Sequence, residues 1–142
     1  MKLVKQLLEA KGHDVLSIDP EASVLDAVKL MAEKGVGALT VMEGSELIGI
    51  ISERDYARKI ILKGRSSDTT TVREVMTSEI ITTSGGESVE KCMNMMTDSR
   101  IRHLPVVDGG AVTGIISIGD LVKAVIADQK EEIEQLEHYI SG

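Results

Sequence analysis

From Ser23 onward, apolar residues fall at Val24, Ala27, Val28 and Met31, the spacing that gathers them on one face of a helix. Ser23 supplies an N-cap with Asp26 three residues on, and Gly35 supplies the stop. Two short apolar runs follow, Ala38–Met42 and Leu47–Ile51, on either side of Glu43-Gly44-Ser45. Two such runs around a glycine-containing turn predict an antiparallel hairpin. A second helix is predicted from about Glu53 to Lys63, and a short extended piece, Val15–Ile18, precedes the first. The order is strand, helix, strand, strand, helix.

The same pattern returns 65 residues later. Val15 to Ile61 lies over Ile80 to Ile126 without a gap, and twelve of the 47 pairs are identical. Chance would give about three at ordinary residue frequencies. The identities cluster at Leu39/Leu104, Val41/Val106, Gly44/Gly109, Gly49-Ile50-Ile51-Ser52 over Gly114-Ile115-Ile116-Ser117, and Asp55/Asp120. The second copy therefore predicts an extended piece at Ile80–Thr83, a helix from Ser88, strands at His103–Val107 and Val112–Ile116, and a helix from about Ile118. Neither half is long enough to bury much core alone, so a face-to-face pair is expected.

A smaller echo lies upstream, where Val4-Lys5-Gln6-Leu7-Leu8 resembles Val72-Arg73-Glu74-Val75-Met76, and both predict a helical turn leading into a copy. The polar run from Gly64 to Thr71 breaks the pattern as a linker. The expected organisation is residues 1–64 as the first repeat with its helical turn, 65–71 as linker, 72–127 as the second repeat and 128–142 as a helical tail. Along that tail Val122, Val125, Gln129, Ile133, Leu136 and Ile140 recur at spacings of three and four. The last helix is thus expected to reach about Ile140, with a stripe that packs on its own domain or on another subunit.

Composition narrows the function. Of the 142 residues, 42% are hydrophobic and 27% charged, with no Phe, no Trp and seven Met, so the core must be aliphatic. The net charge of -7 argues against a general nucleic-acid binder. Cys92 is the single cysteine, which rules out an internal disulfide. No apolar run has the length of a membrane span and no signal peptide is evident, so a cytoplasmic protein without a membrane partner is expected. His13, His103 and His138 are scattered, which gives neither metal-ligand spacing nor a nucleophile–base pair, and no enzyme is expected. The run Met93-Asn94-Met95-Met96 fits core and interface filling better than copper ligation.

The repeated segments Gly49-Ile-Ile-Ser52-Glu-Arg-Asp55 and Gly114-Ile-Ile-Ser117-Ile-Gly-Asp120 hold the candidate chemistry. One reading is structural: Ser-x-x-Asp at a strand-to-helix junction is a capping-box variant that satisfies helix N–H groups. The other is ligand binding. A helix N-terminus suits a phosphate, and an ionised carboxylate accepts hydrogen bonds from both hydroxyls of a ribose. Phosphate plus diol describes a nucleotide.

With these two motifs, and with Arg102-His103-Leu104-Pro105-Val106-Val107 as a second-strand motif, the whole chain resembles a tandem pair of CBS domains of the stand-alone kind. The resemblance implies an α/β (α+β) fold of duplicated β-α-β-β-α units, a pseudo-two-fold Bateman module with a C-terminal helical extension. It implies clefts between the copies that bind an adenine nucleotide, AMP first, with ATP, ADP, NAD(H) or S-adenosylmethionine as other candidates. It puts Asp55 and Asp120 on ribose, Ser52 and Ser117 near ribose or phosphate, and Val15, Ile18, Ile80, Thr82 and Pro105 around the base. Where the copies differ, Arg102 and His103 are candidates for phosphate at one cleft and Arg54 and Arg58 at the other, against a solvated helix face and a packed strand histidine. The function implied is a regulatory sensor of energy or redox state, a homodimer acting on an effector protein in trans. The alternative is a dimerisation scaffold with non-functional clefts.

Overall fold

The computed structural model describes residues 2–141. Its elements in chain order are α1 (Val4–Lys11), β1 (Ser17–Ile18), α2 (Val24–Lys34), β2 (Ala38–Glu43), β3 (Glu46–Ser52) and α3 (Glu53–Tyr56), which runs into a π-helical stretch, Ala57–Ile61. Then follow α4 (Val72–Val75), α5 (Val89–Ser99), β4 (His103–Asp108), β5 (Ala111–Ser117) and α6 (Ile118–Ser141). The chain forms two compact units: Val15–Ile81, and the residues up to Asp14 together with those from Thr82 onward.

In the unit of residues 15–81, a three-stranded sheet has the order β1-β2-β3, with β1 parallel and β3 antiparallel to β2. Ser23 caps α2 by accepting from the Asp26 N–H at 3.1 Å, and Gly35 closes it in the left-handed conformation at φ 65°. The apolar face of α2 lies on the sheet, so Val24, Ala27, Met31, Leu39, Val41 and Ile51 form one buried cluster. Val72 and Val75 of α4 complete it. The segment 64–71 is more than a linker. Its Thr70 and Ser67 carbonyls accept the Val24 and Leu25 N–H groups, two of the donors that the start of α2 leaves without helical partners.

The other unit repeats this plan. Ser88 caps α5 through the Lys91 N–H at 3.1 Å, and β4 and β5 pair in the same register as β2 and β3, with an irregularity at the matching place, Val106/Val107 against Val41/Met42. Val4, Leu7 and Leu8 of α1 join Val89, Cys92, Met96, Leu104, Val106, Ile116 and Leu121 in its core. The left-handed cap of α5 is Arg100 at φ 55°, where α2 has Gly35.

Two expectations are corrected. The N-terminal helical turn was expected with the first repeat, but α1 packs with the second. Its Val4 and Lys5 N–H groups donate to the Glu87 and Gly85 carbonyls, just as Val72 and Arg73 of α4 donate to Ala22 and Pro20 in the other unit. The extended piece Ile80–Thr83 is not a strand and is reduced to one parallel bridge, Thr83 to Val106. The reason is Pro105. In the first copy the Thr40 N–H donates to Leu16 at 3.1 Å and seats β1, but Pro105 stands at the Thr40 position and has no N–H to give.

Candidate functional site: two strand-to-helix junctions

The first junction is where β3 ends in Ser52 and α3 begins. The Ser52 hydroxyl accepts from the Asp55 N–H at 3.3 Å, and the Asp55 carboxylate accepts from the Ser52 N–H at 2.9 Å and hydroxyl at 3.1 Å. This is the reciprocal capping box that the spacing allows. Asp55 is buried at 7% exposure, and a carboxylate that far from water needs partners for both oxygens. Thr77 donates to its Oδ1 at 3.2 Å, and Lys59, one turn on, lies 3.2 Å from the same oxygen. Lys59 also donates to the Val75 carbonyl at 2.8 Å, which ties the junction to α4.

The second junction joins β5 to α6. Asp120 accepts from the Ser117 N–H at 2.8 Å and returns its own N–H to the Ser117 hydroxyl at 3.2 Å. Its ammonium partner comes from α1: Lys11 Nζ lies 2.6 Å from Asp120 Oδ2 and also donates to the Ile115 carbonyl. Nearby, His13 meets the Thr113 carbonyl at 3.1 Å. Burial works against an ionised Asp120, but the bonds from Lys11 and Ser117 and the Lys11 charge outweigh it and hold the carboxyl below the usual range. His103 sits directly across the hairpin from Ser117. Burial first, and the Lys11 and Arg102 charges after it, push its imidazole below the ordinary histidine value against the pull of Asp120. It is a half-buried, neutral imidazole at pH 7.

The expected residues thus sort by unit. Val15 and Ile18 lie at β1, half-buried, with Ser52, Asp55, Arg54 and Arg58 at the first junction, where both arginines are exposed. Ile80 is half-buried, Thr82 is exposed and Pro105 is buried within β4, where its carbonyl accepts from the Thr83 N–H. Arg102 is exposed and its carbonyl takes the Ile118 N–H at the start of α6, so His103, Ser117 and Asp120 share one corner with it. Three residues of the junctions were not expected. Lys59 stands four residues after Asp55 on the same helix, a spacing visible in the sequence. Lys11 reaches Asp120 across 109 residues, and Thr77 reaches Asp55 across 22, with no local signal for either.

Among the described residues no cluster of His, Cys, Asp or Glu is arranged to hold a metal ion, and no helix is long and apolar enough to cross a membrane. The CBS domain family matches residues 5–62 and 72–127. The chain is 43% identical over 148 residues to the Arabidopsis thaliana CBS domain-containing protein CBSX3, mitochondrial, covering 98% of this chain and 72% of that one. A solved CBS-domain protein from Burkholderia ambifaria is 50% identical with a TM-score of 0.87, covering 90% of this chain and 96% of that one. The CBS domain pair of protein MJ0100, solved in complex with 5-methylthioadenosine and S-adenosyl-L-methionine, is 25% identical with a TM-score of 0.80, covering 90% and 98%. The motifs at Gly49–Asp55 and Gly114–Asp120, the repeated helix–hairpin–helix plan and these likenesses agree: the chain belongs to the CBS domain family and carries two CBS domains in tandem.

Proposed function

We propose that the chain is a regulatory module that binds an adenine nucleotide, or a related adenosine ligand, at its strand-to-helix junctions and relays occupancy to a partner protein in trans. One observation carries this reading. At the second junction a carboxylate, an ammonium and the N-terminus of a 24-residue helix meet in one half-exposed corner, Asp120 with Lys11 at the head of α6. The carboxylate accepts from a ribose diol, and the ammonium and helix N–H groups suit a phosphate or another electron-rich group. The adenosine ligands carried by MJ0100 support that class of ligand. In this reading the ribose hydroxyls take over the Asp120 oxygen now held by Lys11, and Lys11 turns to the phosphate. AMP is the simplest ligand with both parts, and ATP, ADP, NAD(H) and S-adenosylmethionine share the ribose.

The test is calorimetric titration of AMP, ATP, NAD, S-adenosylmethionine and 5-methylthioadenosine, with thermal unfolding beside it. A ligand that binds only the folded state raises the melting temperature, by about 2.7 kcal/mol of stability at a hundredfold excess over Kd. Asp120→Ala is expected to weaken binding at least tenfold, while Asp68→Ala, in the 64–71 segment, leaves it unchanged. Absence of heat and of thermal shift with all five compounds defeats the reading. It would favour the second one, a scaffold whose aspartates serve only as helix caps, a role both already perform.

A further inference from the structure

Helix α6 outruns the repeat that carries it. The family match ends at residue 127, and every residue from Gln129 to Ser141 is exposed. A free helical stretch of about a dozen residues is marginal in water and gains from a packed face. One face of it is apolar: Val122, Ile126, Ile133, Leu136 and Ile140 are between 41% and 82% exposed. With Gln129 they step alternately by four and three, the spacing of a coiled-coil seam. Gln129 also lines a groove of about 600 Å³ between α5 and α6, together with the apolar Met93 and Val125 and the acidic Glu90, Asp128 and Glu132. Groove and seam therefore meet, within one compact unit.

Charge selects what covers them. From Ile126 to Ser141 the helix carries five carboxylates, Asp128, Glu131, Glu132, Glu134 and Glu137, against one lysine, Lys130. Two such tails laid together would set these carboxylates against one another, and a parallel pair would bring Glu132 and Glu137 together beside the seam. We infer that the groove and seam of α6 dock a basic amphipathic helix of a different protein. Its apolar face covers Ile126, Ile133, Leu136 and Ile140, and its Lys and Arg side chains meet the carboxylates. At 1.5 Å per residue the seam from Ile126 to Ile140 is about 21 Å long, so the matching segment has about four turns. The inference gives the partner in trans its chemistry and rests on the regulatory reading for that partner's role. The test omits nucleotide, so the two can fail separately.

The probe is a fluorescein-labelled peptide of about four helical turns, built of leucine and lysine with leucine at both apolar positions of each heptad. Its controls are a scrambled peptide of the same composition and a version with glutamate in place of lysine. Fluorescence anisotropy is read on the full chain at roughly 50 mM salt, where surface charges are weakly screened. The unaltered chain is expected to bind the patterned peptide roughly tenfold or more tightly than either control. Leu136→Ser with Ile140→Ser, and separately Glu131→Lys with Glu132→Lys, are each expected to weaken that binding by roughly tenfold or more, with unchanged circular dichroism. Equal binding of the scrambled peptide reduces the surface to unspecific charge and overturns the inference. So does an absence of binding, or either variant binding as the unaltered chain does. Light scattering and urea unfolding of the same preparations address the other occupants. A lower mass in the Leu136→Ser, Ile140→Ser variant means that a second copy covers the seam, and a lower urea midpoint means that the chain's own domain does; either result overturns the inference.

Discussion

Asp55 and Asp120 occupy equal positions in the repeat and have different cation partners. Asp55 has Lys59 from its own helix, and Asp120 has Lys11 from α1. The Ser-x-x-Asp spacing disclosed both capping boxes, because that geometry spans three residues. The cations differ because the copies differ: Ala124 stands where the first copy has Lys59. Lys11→Met is expected to lower stability by only about 0.5 kcal/mol, since both partners keep contact with water. On the proposed function it frees Asp120 for the ribose, so the same variant should bind 5-methylthioadenosine, which has no phosphate, several-fold more tightly. Calorimetry and urea unfolding on one preparation read both effects.

The pH dependence has two separate windows. The depressed Asp120 carboxyl contributes stability that is present above the unfolded carboxylate range and is lost as pH falls through its folded value. Lys11→Met should blunt that acid loss. His103, also depressed, is neutral in the folded chain while its unfolded counterpart takes up a proton near pH 6.5. The unfolded state then binds more protons, so stability falls as pH drops below that point. Urea midpoints at pH 7.5 and 5.5 should show a smaller drop in His103→Gln than in the unaltered chain.

At the scale of elements, the glycines of the repeated motif have a packing role. A Cβ on Gly114 would stand 2.7 Å from the Leu8 side chain of α1, and one on Gly49 would stand 2.5 Å from Met76, just after α4, and 3.1 Å from the Thr77 carbonyl. Leu8 and Met76 match in the 68-residue echo, so each helical turn seats a side chain on the bare backbone of a β-strand. Gly114→Ala is expected to cost about 1–3 kcal/mol by overpacking. Its effect should be smaller in a Leu8→Ala background, where the space is already empty, and a double-mutant cycle in urea measures the difference. The hairpins and the helix starts at Ser23 and Ser88 were legible because period and caps are local. The π-helical turn at Ala57–Ile61 and the loss of a strand before α5 were not. The second depended on what Pro105 withholds from a distant carbonyl.

At the scale of the whole molecule, the duplication was the strongest feature of the sequence, and both units keep it down to the irregularity in each hairpin. The tail follows its period to Ser141, yet Ile133, Leu136, Tyr139 and Ile140 are all more than half exposed. Leu136→Ser with Ile140→Ser should therefore change the unfolding free energy of the isolated chain by no more than about 0.5 kcal/mol. A larger loss in urea denaturation would mean that the tail is covered in solution.

By itself the sequence determined what depends on neighbours a few residues apart. That covers the periods of helix and strand, the caps at Ser23, Ser52, Ser88 and Ser117, and the repeat that ties the chain to its family. Only the tertiary structure decided which distant segment completes each core and each carboxylate. Helix α1 closes on the second repeat and α4 on the first, and Lys11 finds Asp120 across 109 residues. The physical reason is that buried groups take their partners from whatever the packed core brings within hydrogen-bond reach, and separation along the chain does not limit that choice.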